Sequence, residues 1–283
     1  MMRNMTIGQF YNVDSPIHRL DPRVKIVAVF MYVISLFFIN NAYLFGVAFI
    51  MLAICIALSK VPLSYIIRGT KGIMGIIIFT VLIQLFTVNG ANVLVEWHFI
   101  KITTSGVRAA VFLFVRLVLM IVGSSMMTYT TTPNSLTDGL EKLLSWLKVF
   151  HIPVHELAMI MSIALRFIPV LVDELDRIMK AQMARGVDFN EGNLIVRVKR
   201  LMAIIVPLFV SVIRRSDELA LAMDARCYHG ESGRTKMKPL RYKRADYVAY
   251  ALVILYIVAL IVLKKTLHIS AFNVVPNVLM GDK

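Results

Sequence analysis

The chain has 283 residues, of which 58% are hydrophobic and 17% charged, and its mean hydropathy is +0.74. That balance excludes an ordinary soluble globular domain and points to a polytopic membrane protein. The formal net charge of +14 comes with no stacking or groove-reading motif, so it is assigned to positive-inside loops, anionic lipid and acidic protein partners rather than to nucleic acid.

In chain order, the stretch Met1 to Lys25 has no short apolar core or small-residue cleavage site, so the first hydrophobic run is expected to be retained as a span. A span needs about 20 apolar residues. Five runs qualify, near Val24–Ile39, Ala42–Leu58, Gly72–Val88, Val107–Tyr129 and Tyr247–Leu263. Arg19, Arg23 and Lys25 before the first, and Lys60, Arg68 and Lys71 between the second and third, place those segments and the N-terminus in the cytoplasm. The Asn40–Asn41 turn has no Lys or Arg, and the loop after Asn89 has only Lys101 before Arg108, which suits the outer face. Within that loop, Val93–Trp97 and Phe99–Thr103 read either as strands of a short hairpin or as plain loop.

Between Thr130 and Arg244 lie two apolar segments, Leu157–Val172 and Leu201–Ile213, that are marginal or short for a span. If they crossed as a hairpin, Arg177, Lys180, Arg185, Arg197, Lys199 and Arg200 would all be translocated, against the positive-inside bias. The expectation is therefore a cytoplasmic region of long amphipathic helices. A first helix has Ser135 as N-cap with Asp138 three residues on, shows Leu136, Leu140, Leu143, Leu144 and Leu147 on one face, and ends near Phe150. A second runs from about Val154 to Arg185, closed by Gly186, and a third from about Asn193 to Arg226. Each spans about 45 Å at 1.5 Å per residue, long enough for a lever.

These two helices form a loose repeat: a proline (Pro169, Pro207), then Asp-Glu-Leu (Asp173–Leu175, Asp217–Leu219), then an Ala-Arg end. The ends are Ala184-Arg185-Gly186 and Ala225-Arg226-Cys227. An arginine there either complements the helix dipole in water or offers a partner a planar, permanently charged fork. The repetition favours the second role. Cys227 stands where glycine would ease a positive φ, so Gly230 is an alternative terminator.

Ser15-Pro16-Ile17-His18-Arg19-Leu20-Asp21-Pro22-Arg23-Val24-Lys25 resembles the N-terminal signature of the transmembrane component of energy-coupling factor (ECF) transporters, the EcfT or CbiQ-like family. So do Thr130-Thr131-Thr132-Pro133 leading into Leu136–Glu141, Leu165–Pro169 and Ala181–Gly186. The resemblance covers nearly the whole chain. It implies an all-α polytopic membrane protein with about five spans: a membrane region over 1–129, a cytoplasmic coupling-helix domain over 130–244 and a C-terminal span and tail over 245–283. It further implies that Ala184, Arg185 and Gly186 dock in one ABC-type ATPase subunit, and that Ala225, Arg226 and Cys227 dock in a second. The ATPase pair would bind the ATP. A substrate-binding S component, one of several interchangeable ones, would take up the vitamin at the bacterial cell membrane.

The chain has no Gly-x-x-x-x-Gly-Lys-[Ser/Thr] loop, so an ATPase role is excluded and the ATP belongs to partners. No catalytic or metal site of its own is expected. The two cysteines, Cys55 and Cys227, make neither a disulfide framework nor a ligand spacing. His151-Ile152-Pro153-Val154-His155-Glu156 suggests a membrane metallohydrolase, yet Pro153 lies between the histidines and the glutamate follows them, unlike a His-Glu-x-x-His helix. A self-sufficient permease is the other alternative, for which Arg116 inside the fourth span is the strongest feature. Met159, Met161, Met179, Met183 and Met223, among 17 methionines, lie along the long helices and read as packing or as an adaptable docking surface.

Overall fold

The first helix starts where Asp21 and Pro22 prescribe. The Asp21 carboxylate accepts the Arg23 N–H at 3.0 Å, while Pro22, at the first helical position, has its φ already set for a helix. The resulting α1 covers Pro22–Phe38. The computed structural model describes residues 10–88, 93–97, 100–150, 153–187, 189, 193–228, 230 and 240–266. Beyond α1 it contains α2 (Ala42–Ser59), α3 (Leu63–Thr87), β1 (Val93–Trp97), β2 (Ile100–Thr103), α4 (Thr104–Thr130) and α5 (Pro133–Leu143). A tight 3-10 segment, Leu144–Phe150, precedes α6 (Val154–Ala184), α7 (Leu194–Asp224) and α8 (Arg244–Thr266).

Among the described residues the fold is helical apart from one hairpin, the first of the two readings left open for that loop; it is antiparallel, with Glu96 opposite Lys101 and an irregularity between Val93 and Val95. Phe99 lies outside the described residues. Two local expectations are corrected. The cap of α5 is Thr132, not Ser135, because Pro133 is a natural first helical residue; Thr132 Oγ1 accepts the Ser135 N–H at 3.3 Å. That helix also stops being α-helical at Leu143 and finishes as the 3-10 segment.

Among the described residues, α2, α3, α4, α6 and α8 have the length and composition of membrane spans. The third begins nine residues before the expected Gly72, since Pro62 rather than the glycine sets its start. At 17 residues α1 is just long enough to cross, since spans run from about 17 to 25. Its burial against α2, α4 and α8 puts it in the same bundle. By length and composition α6 also qualifies, but it carries Asp173, Glu174, Asp176, Arg177 and Lys180 along its second half, the pattern of an amphipathic rather than an all-round apolar helix.

Two compact units emerge, one from Leu140–Pro239 and one from Gly8–Gly139 with Leu240–Lys283. In the second, Leu36, Ile39, Leu44, Ala48, Leu119 and Tyr129 are among the core residues. Gly123 is needed for the α1–α4 approach: a Cβ there would lie 2.6 Å from Tyr32 Cε1. The starts of α1, α3 and α8 and the end of α4 gather at one end of this unit. There Lys25 Nζ donates to Thr130 O at 2.8 Å, and the Tyr65 ring meets both Tyr11 and Tyr129 at 5.2 Å. Thus α1 and α8 run parallel, with α4 antiparallel to α1, as alternating crossings require.

Candidate functional site

The two long helices end in the same geometry. At the end of α6 the Gly186 N–H donates to Met183 O at 2.9 Å, and the Val187 N–H reaches back to Gln182 O at 3.1 Å. Gly186 has φ +86°. These two bonds and the left-handed residue make a Schellman cap, which satisfies carbonyls that a helix end otherwise leaves open. At the end of α7 the Cys227 N–H donates to Asp224 O at 2.9 Å and the Tyr228 N–H to Met223 O at 3.1 Å. Cys227 has φ +54°.

Cys227 therefore does what glycine does at the first end, and the alternative that Gly230 closes the helix is corrected. Gly230 has φ +89° but lies beyond a helix already capped. The reason is that the paired backbone hydrogen bonds outweigh a left-handed penalty of about 1 kcal/mol for a non-glycine residue.

The cap aligns the motifs. Arg185 immediately precedes the left-handed residue at one end and Arg226 does so at the other. Ala184, Arg185, Gly186, Ala225, Arg226 and Cys227 are all exposed, and among the described residues neither guanidinium has an acceptor. An exposed, unpaired arginine on a rigid helix end is suited to pairing with a carboxylate of another chain. Upstream, α6 and α7 pack together and are joined by an ion pair, Arg215 Nη2 to Glu174 Oε2, at 3.7 Å. Their outward faces remain apolar, with Leu157, Ile160 and Ile168 exposed on α6 and Ile205, Phe209 and Val210 exposed on α7. Of the five methionines singled out, Met161 and Met183 are exposed and the other three half-buried.

The N-terminal signature has a different task, which sequence alone did not expose. Asp246, 1% exposed, accepts the Asp21 N–H at 2.8 Å and the Lys243 N–H at 2.7 Å, binding the start of α8 to the start of α1. Arg23 Nε and Nη2 both donate to the Asp21 carboxylate, at 3.0 and 2.8 Å, and its guanidinium covers the Tyr242 ring at 3.8 Å. His18 Nε2 donates to Tyr11 O at 3.0 Å, so its Nδ1 accepts the Ser15 hydroxyl at 2.7 Å. Burial pushes the His18 imidazole below its ordinary value of 6.5. The signal for Asp246 was an acidic residue at the head of a span in an otherwise basic stretch.

His155 Nδ1 lies 3.0 Å from Glu141 Oε1, so this histidine ties α6 to α5, whereas His151 lies outside the described residues. Among the described residues no group of three His, Cys, Asp or Glu side chains is placed to hold a metal. Arg116 donates from Nη2 to Ile39 O at 2.6 Å, satisfying a carbonyl past the end of α1.

The profile of the Cobalt transport protein family, CbiQ, matches residues 14–237. The chain is 48% identical over 252 residues to the energy-coupling factor transporter transmembrane protein EcfT of Clostridium kluyveri, covering 88% of this chain and 93% of that one. It is 48% identical over 246 residues to the EcfT of Acidaminococcus fermentans, covering 87% and 91%. The EcfT of Lactococcus lactis subsp. cremoris is 42% identical over 266 residues, covering 93% and 99%. With an all-helical multi-pass architecture and this similarity along most of its length, the chain belongs to the CbiQ-like EcfT family of energy-coupling factor transporter transmembrane proteins.

Proposed function

We propose that the chain is a non-catalytic coupling subunit that carries ATP-driven motion from two cytoplasmic ABC-type ATPase subunits to a substrate-binding S component for vitamin uptake. The observation that carries this reading is the equivalence of the two helix ends, each a Schellman cap presenting an exposed Arg185 or Arg226. Ala184, Arg185 and Gly186 would seat in one ATPase, and Ala225, Arg226 and Cys227 in the other. The Gly-to-Cys difference between the ends suits a heterodimeric pair. The ATP is the partners' ligand; this chain is proposed to need no cofactor of its own.

The exposed apolar faces of α6 and α7 suit the S component, and interchangeable S components would share them. The N-terminus is proposed to lie in the cytoplasm, a side that Arg19, Arg23 and Lys25 favour, and α8 would then start on that side and end at Lys264 and Lys265 on the other. Those lysines reach head groups by snorkelling. The contact of Arg116 with a backbone carbonyl supports a structural task for that residue rather than a solute path of the chain's own.

The test is copurification with the ATPase pair, and vitamin uptake, for the natural chain, Arg185→Glu, Arg226→Glu and the double variant, with membrane levels of each. Breaking one member of a desolvated ion pair costs about 3–5 kcal/mol, so the double variant should insert normally yet lose both association and uptake. Retention of both by the double variant would overturn the docking reading.

A further inference from the structure

Within the membrane unit, α1, α2, α4 and α8 enclose a cavity of about 190 Å³. It is drawn out along the helices, its wall following α1 from Val24 to Tyr32 and α8 from Ala249 to Tyr256, about 10–12 Å at 1.5 Å per residue. The polar atoms of that wall are engaged elsewhere. Tyr32 Oη donates to Ala48 O at 3.4 Å, Tyr256 Oη shares a hydrogen bond with Ser35 Oγ at 2.9 Å, and Thr130 Oγ1 donates to Met126 O at 2.8 Å. Lys25 Nζ donates to Thr130 O at 2.8 Å and to His18 O at 3.3 Å. What is left to line the space is aliphatic carbon, tyrosine ring and the sulfur of Met51, Cys55, Met126 and Met127. A buried water needs about two to four polar partners, and apolar cavities of about 150 Å³ stay dry and take up apolar molecules instead.

The place of the opening says which apolar molecule is at hand. Two residues of the wall, Leu58 on α2 and Leu252 on α8, are 48% and 51% exposed, and both belong to helices with the length and composition of spans. Lys60, directly after α2, and Arg244, at the start of α8, mark the head-group level at that end, so the mouth lies in the hydrocarbon just below it. We propose that the cavity is a binding site for one acyl chain of a bilayer phospholipid, which enters between α2 and α8 while its head group stays level with Lys60 and Arg244. A side chain from a partner helix fills only part of so extended a space, whereas an acyl chain follows its length. The polarisable sulfur atoms let the wall adapt to chains of different length and unsaturation. The bound chain restores the dispersion contacts that an empty cavity forfeits, and so braces α8 against α2.

The full chain is purified in a bile-salt detergent, whose rigid ring system has no flexible tail to insert, and the phospholipid it retains is counted by native mass spectrometry. The natural chain should keep one phospholipid. Ala28→Phe and Ala249→Phe, which fill the cavity from α1 and from α8, should keep none while melting no lower than the lipid-stripped natural chain. Ile76→Phe, on an exposed position of α3 away from the cavity, should keep the lipid. A second readout leaves the wall as it is: with Cys227→Ser, Cys55 is the sole thiol, and its alkylation by a membrane-soluble reagent in the stripped chain should slow about tenfold when phospholipid is returned at ten times its dissociation constant. A natural chain that retains no lipid and whose Cys55 rate ignores added phospholipid would overturn the proposal. So would retention that survives both filling changes and follows head-group charge instead, which would assign the lipid to the outer surface. None of these outcomes depends on whether Arg185 and Arg226 meet ATPases.

Discussion

Arg215 Nη2 lies 3.7 Å from Glu174 Oε2 where α6 packs on α7, and each member stands eleven residues before the arginine that ends its own helix. Beyond this contact the two arms are equal, about 16 Å each at 1.5 Å per residue. A rotation of one helix against the other about this pair would therefore displace Arg185 and Arg226 by similar amounts, as the proposed docking to two ATPases needs.

The ion pair is 38% and 24% exposed at its two side chains and long, so its removal should alter stability by less than about 1 kcal/mol. Glu174→Arg places two like charges at the crossing and should lower uptake with little change in the melting temperature. The exchange Glu174→Arg with Arg215→Glu should recover much of the uptake. Uptake and thermal melting of the three variants in the assembled complex decide this, and a swap no better than the single change would remove the pair's role.

At the caps, no atom lies within 4 Å of a Cβ built on Gly186, so Gly186→Ala meets only the backbone penalty of a positive φ and should destabilise the end of α6 by about 1 kcal/mol. Cys227→Gly should do the reverse at the end of α7 and stabilise by a similar amount. Hydrogen exchange of the Val187 and Tyr228 amides reads each cap directly, slower exchange marking the more stable end.

Asp246→Ala would leave the Asp21 and Lys243 N–H groups without their acceptor in a buried site. Each unsatisfied donor costs about 1–3 kcal/mol, so a loss of roughly 3 kcal/mol is expected, and Asp246→Asn, which retains one acceptor oxygen, should lose less. Melting of the detergent-solubilised chain, with proteolysis of the N-terminal segment as a second readout, measures both. Equal stability of the alanine variant and the natural chain would show that Asp246 does not hold α8 to α1.

His18 gives a pH dependence of definite sign. Burial lowers its folded-state pKa below 6.5, and nearby Lys25 works the same way while Asp14 and the Tyr11 carbonyl oppose it. Its contribution is complete above the unfolded value and declines as pH falls from there through the folded value, where protonation removes the Nδ1 acceptor used by Ser15. Between about pH 7 and about pH 5 the natural chain should therefore lose stability that His18→Gln does not. Melting curves of the two chains across that range provide the comparison.

Much of the candidate site could be read from residue order, because its parts are local. The Ala-Arg ends, the prolines and the Asp-Glu-Leu steps recur within one helix each, and the hairpin shows itself in Val93–Trp97. The cap of α5 lies three residues before the one the residue order suggests, because Ser135 and Thr132 are both capping types and only the hydrogen bond from the Ser135 N–H decides between them.

Composition and the spacing of apolar runs were sufficient to indicate a multi-pass helical protein, and segments such as Ser15–Lys25 and Ala181–Gly186 carried its resemblance to this family, since hydropathy and helix-end chemistry act over one or two turns. Only the tertiary structure could show that Asp21 and Asp246, separated by 225 positions, meet at 2.8 Å, or that Cys227 takes φ +54° and matches the two caps. Those features depend on which distant backbone groups are left wanting a partner after the helices pack, and a burial cost of that kind has no local signature in the order of residues.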